Sequence, residues 1–240
     1  KGLVEISWDG RSLIDNGGEQ LQFLIQSQAF VPFRIFCIGK NYGEHVKELG
    51  DSNLPNEPVV FMKPVSNLVG HDETLYYPRY GSELHHEVEA VVLIGKEGQN
   101  IPEKDADSYI AGVSIGLDLT LRDIQFKLKK RGLPWELSKS FEQSAPLGRF
   151  QPYDAASINL ENWSFTCSVN QNLRQQGNTL DMIFPIKTLI HMLSGWWKFQ
   201  PGDIIFTGTP SGVGLLKAGD QIQIESPEIG VFSWNIAQTR

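Results

Sequence analysis

Apolar residues along this chain come in short runs, solid or alternating with polar ones, and the runs have the length of strands. Such runs at 34–38, 59–63, 87–94, 111–119, 164–170, 203–206, 221–225 and 231–236, with a further one at 3–8, predict a mostly β protein. Three stretches carry helix punctuation instead. Asn41 followed by Glu44 reads as a capping box for a short helix that Gly50 ends. Thr120 with Asp123 opens a second, closed at Gly132 after Lys127, Lys129, Lys130 and Arg131, and a third covers 185–196 with Pro185 in its first turn. The polar, breaker-rich residues 50–58 predict a loop that moves, and because they follow a His-bearing helix, 41–58 is expected to act as a lid. No linker-like shift in composition interrupts the chain. Residues 1–30 are expected to form a small N-terminal strand region attached to one catalytic domain over 31–240.

At 240 residues the chain is long enough for a sizeable core, and 40% hydrophobic content excludes disorder as its organising principle. Its 21 Lys and Arg against 28 Asp and Glu give a net charge of −7 without a block of either sign, which argues against nucleic acid or an anionic membrane as partner. Cys37 and Cys167 sit far apart in apolar contexts, without metal-finger or redox spacing, and predict buried thiols in a reducing compartment. The first residues lack the apolar run of a signal peptide, and no stretch approaches the roughly 18 apolar residues of a membrane helix. A cytoplasmic protein is expected, or an organellar one, such as a mitochondrial matrix protein, freed of its transit peptide.

The candidate chemistry begins in the run that follows His85 and His86. On a strand, residues two apart share a face, so Glu87 and Glu89 project together while Val88, Ala90 and Val92 point the other way. Two adjacent carboxylates at the start of an interior strand need water, a basic group or a metal; a solvated strand end is the plain alternative. In the run 111–119, Val113, Ile115, Leu117 and Leu119 share one face, and Ser114, Gly116, Asp118 and Thr120 the other. Asp118 thus becomes a third carboxylate at the end of a buried strand. Three hard oxygen ligands suit Mg2+, Mn2+ or Ca2+ better than zinc, whereas His85 and His86 keep a His–carboxylate site for iron or zinc open.

His45 and Glu48, three apart on the first predicted helix, share a face. The carboxylate can orient the imidazole for general-base work, although most surface pairs of this kind are merely solvated. Lys139 stands alone between an aromatic turn and an apolar segment, where an exposed lysine is the ordinary reading. The Gly-rich stretch 207–214 lacks the Gly-Lys-Ser/Thr ending of a phosphate loop, yet its N–H groups and hydroxyls, that of Thr209 among them, could clasp a carboxylate.

Taken in order, these pieces resemble the fumarylacetoacetate hydrolase family. The matching strings are Ile38-Gly39-Lys40-Asn41-Tyr42, His45 with Glu48, Phe61-Met62-Lys63-Pro64, His86-Glu87-Val88-Glu89, Gly116 to Thr120 with Arg122, Asp123 and Gln125, Gly132 to Trp135 with Lys139-Ser140-Phe141, and Thr207 to Gly214. The nearest branch is that of short acylpyruvate hydrolases and oxaloacetate decarboxylases. The resemblance implies a β-rich α+β fold, a mixed β-roll with a few short helices, usually homodimeric. It implies Mg2+ or Mn2+ held by Glu87, Glu89 and Asp118, a His45–Glu48 dyad ordered on a lid, and Lys139 beside the metal-bound substrate. Lys40, Asn41, Tyr42, Arg122, Gln125 and Thr209 are then substrate-binding, with Lys40 standing where many relatives carry Arg. Residues 1–30 match least.

The activity implied is hydrolysis of the C–C bond of acylpyruvate-type 2,4-dioxo acids through a metal-stabilised pyruvate enolate. Keto–enol tautomerisation or decarboxylation of oxaloacetate would use the same site. A non-enzymatic module with a structural cation is the competing class, and it has no need of a dyad on a mobile segment.

Overall fold

Continuous apolar runs become central strands because a strand covered on both faces has no solvent side to alternate with. The computed structural model describes residues 11–13, 19–48, 50, 54–71 and 73–239. In it the strand Val88–Ile94, buried at all seven positions, lies inside a six-stranded sheet. The order is Gln151–Pro152, Ile110–Leu117, Val88–Ile94, Ile204–Phe206, Ile35–Gly39 and Val59–Lys63. Ile204–Phe206 and Ile35–Gly39 pair in parallel and the other neighbours antiparallel.

A second mixed sheet runs Asn172–Asn178, Ser164–Val169, Gln221–Ser226, Gly230–Ala237 and Thr74–Tyr76. Its inward side chains, including Phe165, Cys167, Ile222, Ile224 and Trp234, meet Val88, Ala90, Val92 and Ile94 in the larger core. The odd-numbered Val91 and Leu93 face the opposite way and form a smaller core with Ile35, Cys37, Ile204, Phe206 and the hairpin residues Phe23, Ile25 and Phe30. Each fully buried aliphatic or aromatic side chain contributes about 1.5–3 kcal/mol, so one strand ties two cores together. Glu87 and Glu89 continue the side that faces the smaller core.

The α-helices among the described residues are α1 (Gly43–Glu48), α2 (Arg122–Lys130), α3 (Glu136–Lys139) and α4 (Ile186–Trp196). Two expected caps are corrected. Asn41 makes no capping box, because its side chain is spent on the backbone of Phe184 and Thr207, and α1 begins two residues later. Thr120 does not cap α2 either: its hydroxyl bonds Asp118 O and Lys139 Nζ, and Asp123 accepts instead from Ser82 N. Strand ends shift by a residue or two; Glu87, Asp118 and Leu119 fall just outside their strands. The expected strand at 3–8, and residues 49 and 51–53 of the expected lid, lie outside the described residues. Both cysteines are buried and free. Among the described residues no helix is long and apolar enough to cross a membrane.

Candidate active site

Antiparallel register brings the three acids together. Val88 pairs with Leu117 and Glu89 with Gly116, and Asp118 N donates to Glu87 O at 2.9 Å, so the ladder extends one step past the strand ends. Glu87 and Asp118 therefore oppose each other, and Glu89 lies two residues along on the same face. Oxygens of the three carboxylates lie within 4.8 Å of one another, all buried. Gly116, opposite Glu89, has no room for a side chain: a Cβ there would meet the Phe206 ring at 2.8 Å and Pro146 O at 3.0 Å.

Like charges facing across a ladder repel, and basic side chains supply the balance. Lys139 Nζ donates to Asp118 Oδ2 at 2.6 Å, to Glu87 Oε2 at 2.8 Å and to Thr120 Oγ1 at 2.6 Å. Burial would lower the Lys139 ammonium's pKa, but Asp118 and Glu87 outweigh it and leave that pKa above the ordinary value. Arg122 Nη2 donates to Glu87 Oε1, and its Nη1 to Gln125 Oε1 at 2.5 Å. Burial alone would raise the Glu87 carboxyl; Lys139 and Arg122 hold it well below the usual carboxylate range.

The rest of the triad is short of partners. Glu89 accepts from Gly208 N at 2.8 Å, while burial and the charges of Asp118 and Glu87 push its carboxyl well above the ordinary value. Asp118 Oδ1 is 2.9 Å from Lys63 Nζ, yet it is buried and accepts no hydrogen bond, so that ion pair lacks hydrogen-bond alignment. A buried acid whose charge its two neighbours disfavour and an orphaned carboxylate oxygen fit a divalent cation, and an all-oxygen donor set suits a hard one. Among the described residues these three acids form the one cluster of this kind, and neither His85 nor His86 belongs to it. His86 Nδ1 is engaged with Gln175 Oε1 at 2.8 Å.

On α1, His45 Nδ1 lies 2.9 Å from Glu48 Oε2, and Glu48 Oε1 accepts from Gly212 N at 2.9 Å. Burial would raise the Glu48 carboxyl; the hydrogen bonds from His45 and Gly212 hold it below its ordinary value. His45 lines the same pocket as the three acids, and with Nδ1 engaged, Nε2 is the nitrogen left to meet a substrate. Lys40, Arg122, Gln125, Lys139 and Thr209 line that pocket too. Lys40 adopts φ 60°, a left-handed conformation uncommon for a residue with a Cβ and concentrated at functional sites.

Asn41 and Tyr42 do not line this pocket. Asn41 is locked to backbone and Tyr42 sits in the larger core, its hydroxyl without a hydrogen-bond partner. Lys139 is 3% exposed rather than solvated. Three participants carried no separate signal. Lys63, at the end of an apolar strand, donates to Leu119 O at 3.2 Å and to Lys139 O; Phe61 and Trp135 form an aromatic wall with centroids 5.7 Å apart. A lysine closing the apolar run 59–63 was the available clue.

Residues 34–237 match the model of the fumarylacetoacetate (FAA) hydrolase C-terminal family. The chain is 43% identical to the oxaloacetate tautomerase YcgM of Escherichia coli over 191 residues, covering 80% of this chain and 87% of the relative. It is 44% identical to the mitochondrial oxaloacetate tautomerase FAHD1 of Mus musculus over 193 residues, covering 79% and 85%. Among solved structures, the fumarylpyruvate hydrolase of Pseudomonas aeruginosa in complex with Mn2+ and pyruvate superposes with a TM-score of 0.85 at 31% identity, covering 91% of this chain and 96% of that one. With three carboxylates suited to a hard divalent metal on a fold of this type, the chain belongs to the fumarylacetoacetate hydrolase family of metal-dependent enzymes.

Proposed function

We propose that the protein catalyses keto–enol tautomerisation of a small 2-oxo acid of the oxaloacetate type, held at a Mg2+ or Mn2+ ion by Glu87, Glu89 and Asp118. The carrying observation is the His45–Glu48 dyad docked on the rim of the pocket that contains the three acids. The tautomerase names of the relatives at 43% and 44% identity support it. A bound divalent ion supplies a Lewis acid at the 2-oxo group.

The chain's own residues do the rest. His45, held by Glu48, takes the proton from the methylene beside the 2-oxo group and returns it in the reverse direction. The Lys139 ammonium meets the charge that develops on the oxo oxygen. Arg122, Gln125 and Lys40 place the carboxylates, and Phe61 with Trp135 keeps water from the developing charge. Thr209 presents a lone pair, since its proton is committed to Val88 O at 2.9 Å. Residues 41–58 close as a lid, residues 31–240 make up the catalytic unit, and the enzyme works as a homodimer in the cytoplasm or the mitochondrial matrix.

A second reading, hydrolysis of an acylpyruvate-type 2,4-dioxo acid, has the same dyad activate water against the distal carbonyl. The fumarylpyruvate hydrolase neighbour with Mn2+ and pyruvate favours it. Rates on both oxaloacetate tautomers and a panel of acylpyruvates, with Mg2+, Mn2+ or EDTA, separate the two. His45→Ala should lose about 100-fold or more on tautomerisation or hydrolysis, whereas decarboxylation, which needs mainly the ion and a charge sink, survives in part. Equal losses on every substrate would mean that His45 serves closure or binding.

A further inference from the structure

Gln175 lies in the polar strand Asn172–Asn178, is 1% exposed, and has both ends of its amide engaged. Oε1 accepts from Val88 N at 3.1 Å, and because a backbone N–H only donates, that contact fixes which end of the amide is oxygen. Nε2 therefore donates, to Pro210 O at 2.9 Å and to Thr209 Oγ1 at 2.8 Å. The proton between His86 Nδ1 and Oε1 then belongs to the histidine.

Two residues further on, Gly212 has φ 95° and packs against the same strand, where a Cβ would stand 2.2 Å from Arg174 O. From there Gly212 N reaches Glu48 Oε1 at 2.9 Å, and Glu48 Oε2 holds His45 Nδ1 at 2.9 Å. The upstream half of the segment is anchored separately. Thr207 N and Oγ1 donate to Ala90 O at 3.1 and 2.8 Å, and Asn41 Nδ2 donates to Thr207 O at 2.8 Å, beside the Gly208 N–H that meets Glu89.

We propose that Gln175 is a positioning residue for the dyad: by holding the turn 209–212 it places the Gly212 N–H that docks Glu48, and so sets the reach of His45 into the pocket. This rests on the assignment of His45 and Glu48 to the proton transfer. Misplacing a base by about 1 Å costs on the order of 100-fold, so a residue with no substrate contact can govern turnover. Because Thr207 holds Gly208 independently, the Gly208 N–H that meets Glu89 keeps its own anchor when the Gln175 amide donors are lost.

Gln175→Met keeps the length and loses every hydrogen bond; Gln175→Glu keeps an acceptor for Val88 N and loses both donors. Each should bind Mn2+ within about threefold of the parent while kcat for tautomerisation falls at least tenfold and KM moves by less than about threefold. Amide exchange in 43–48 and at Gly212 should accelerate as well. Parent-like kcat and exchange overturn the inference, as does an equal loss of Mn2+ affinity, decarboxylation and tautomerisation, which would mark Gln175 as merely structural. His45→Ala is the control: if it tautomerises like the parent, the dyad assignment itself fails, whereas an inactive His45→Ala beside parent-like Gln175 variants sinks only the role of Gln175. Should neither variant fold, Gly212 amide exchange decides, since it must speed up by about tenfold or more in Glu48→Ala, and equal rates overturn the docking.

Discussion

Lys139 reaches Asp118 across the floor of the pocket, Nζ 2.6 Å from Oδ2, and so competes for an acid that a divalent ion also needs. In the proposed mechanism its ammonium is at once a rival of the ion and the charge sink of the reaction. Lys139→Met should therefore move two readouts in opposite directions. Mn2+ affinity, measured by calorimetry, should hold or rise, while kcat falls by about 100-fold or more. Parallel losses of affinity and turnover would mean that Lys139 chiefly maintains the fold around the triad.

As a proposed ligand, Glu89 links the ion to stability. Burial and the charges of Asp118 and Glu87 raise its pKa in the folded protein, so the ion-free protein keeps a proton that the unfolded chain releases. Stability therefore falls as pH rises from the unfolded carboxyl's pKa towards the raised one. In EDTA, Glu89→Gln should flatten that fall and match or exceed the parent's Tm at about pH 8. A hundredfold excess of Mn2+ over its Kd should stabilise the parent by about 2.7 kcal/mol and the variant hardly at all. Thermal unfolding with and without Mn2+ checks both, and an equal Mn2+ shift in the variant would place the ion elsewhere.

How far the site could be read from sequence depended on the range of the interactions. Period-two alternation put Glu87, Glu89 and Asp118 on the right faces, since each assignment needed only its own strand. That Glu87 opposes Asp118 came from the pairing register, which no local pattern contains. The caps failed for the same reason: Asn41 and Thr120 have the chemistry of helix starts but found stronger partners in distant backbone and in Lys139. Asn172–Asn178 was invisible because a largely exposed edge strand shows no apolar rhythm, and its buried Gln175 is polar.

Away from the site, Arg34 and Asp203 join two parallel strands. Arg34 Nε and Nη2 meet the two oxygens of fully buried Asp203 at 2.9 and 2.6 Å, and Gln200 N donates to Oδ2 at 2.8 Å. Because Arg34 keeps a quarter of its side chain exposed, the full penalty for breaking a buried pair must be discounted. Asp203→Ala should cost roughly 2–3 kcal/mol in urea unfolding while leaving Mn2+ affinity alone. A parent-like urea midpoint would show that the pair contributes nothing net.

Asn41 offers the sharpest separation of anchoring from substrate contact. Its Oδ1 accepts from Phe184 N at 2.7 Å, and its Nδ2 donates to Phe184 O at 3.0 Å and Thr207 O at 2.8 Å, which pins the root of α1 to two distant segments. Alanine would leave these backbone groups unpaired in the interior, at about 1–3 kcal/mol for each lost partner. Asn41→Asp, nearly isosteric, can still accept from Phe184 N but cannot donate to either carbonyl, so it should destabilise at least as much as Asn41→Ala. Since α1 starts at Gly43, either variant should also lower kcat by displacing His45. The substrate-binding role implied by the family resemblance predicts the reverse: a raised KM on a parent-like fold. Urea unfolding paired with steady-state kinetics on both variants decides, for a midpoint that falls at constant m with KM within about threefold establishes the anchor. An unchanged midpoint with a raised KM would return Asn41 to the substrate.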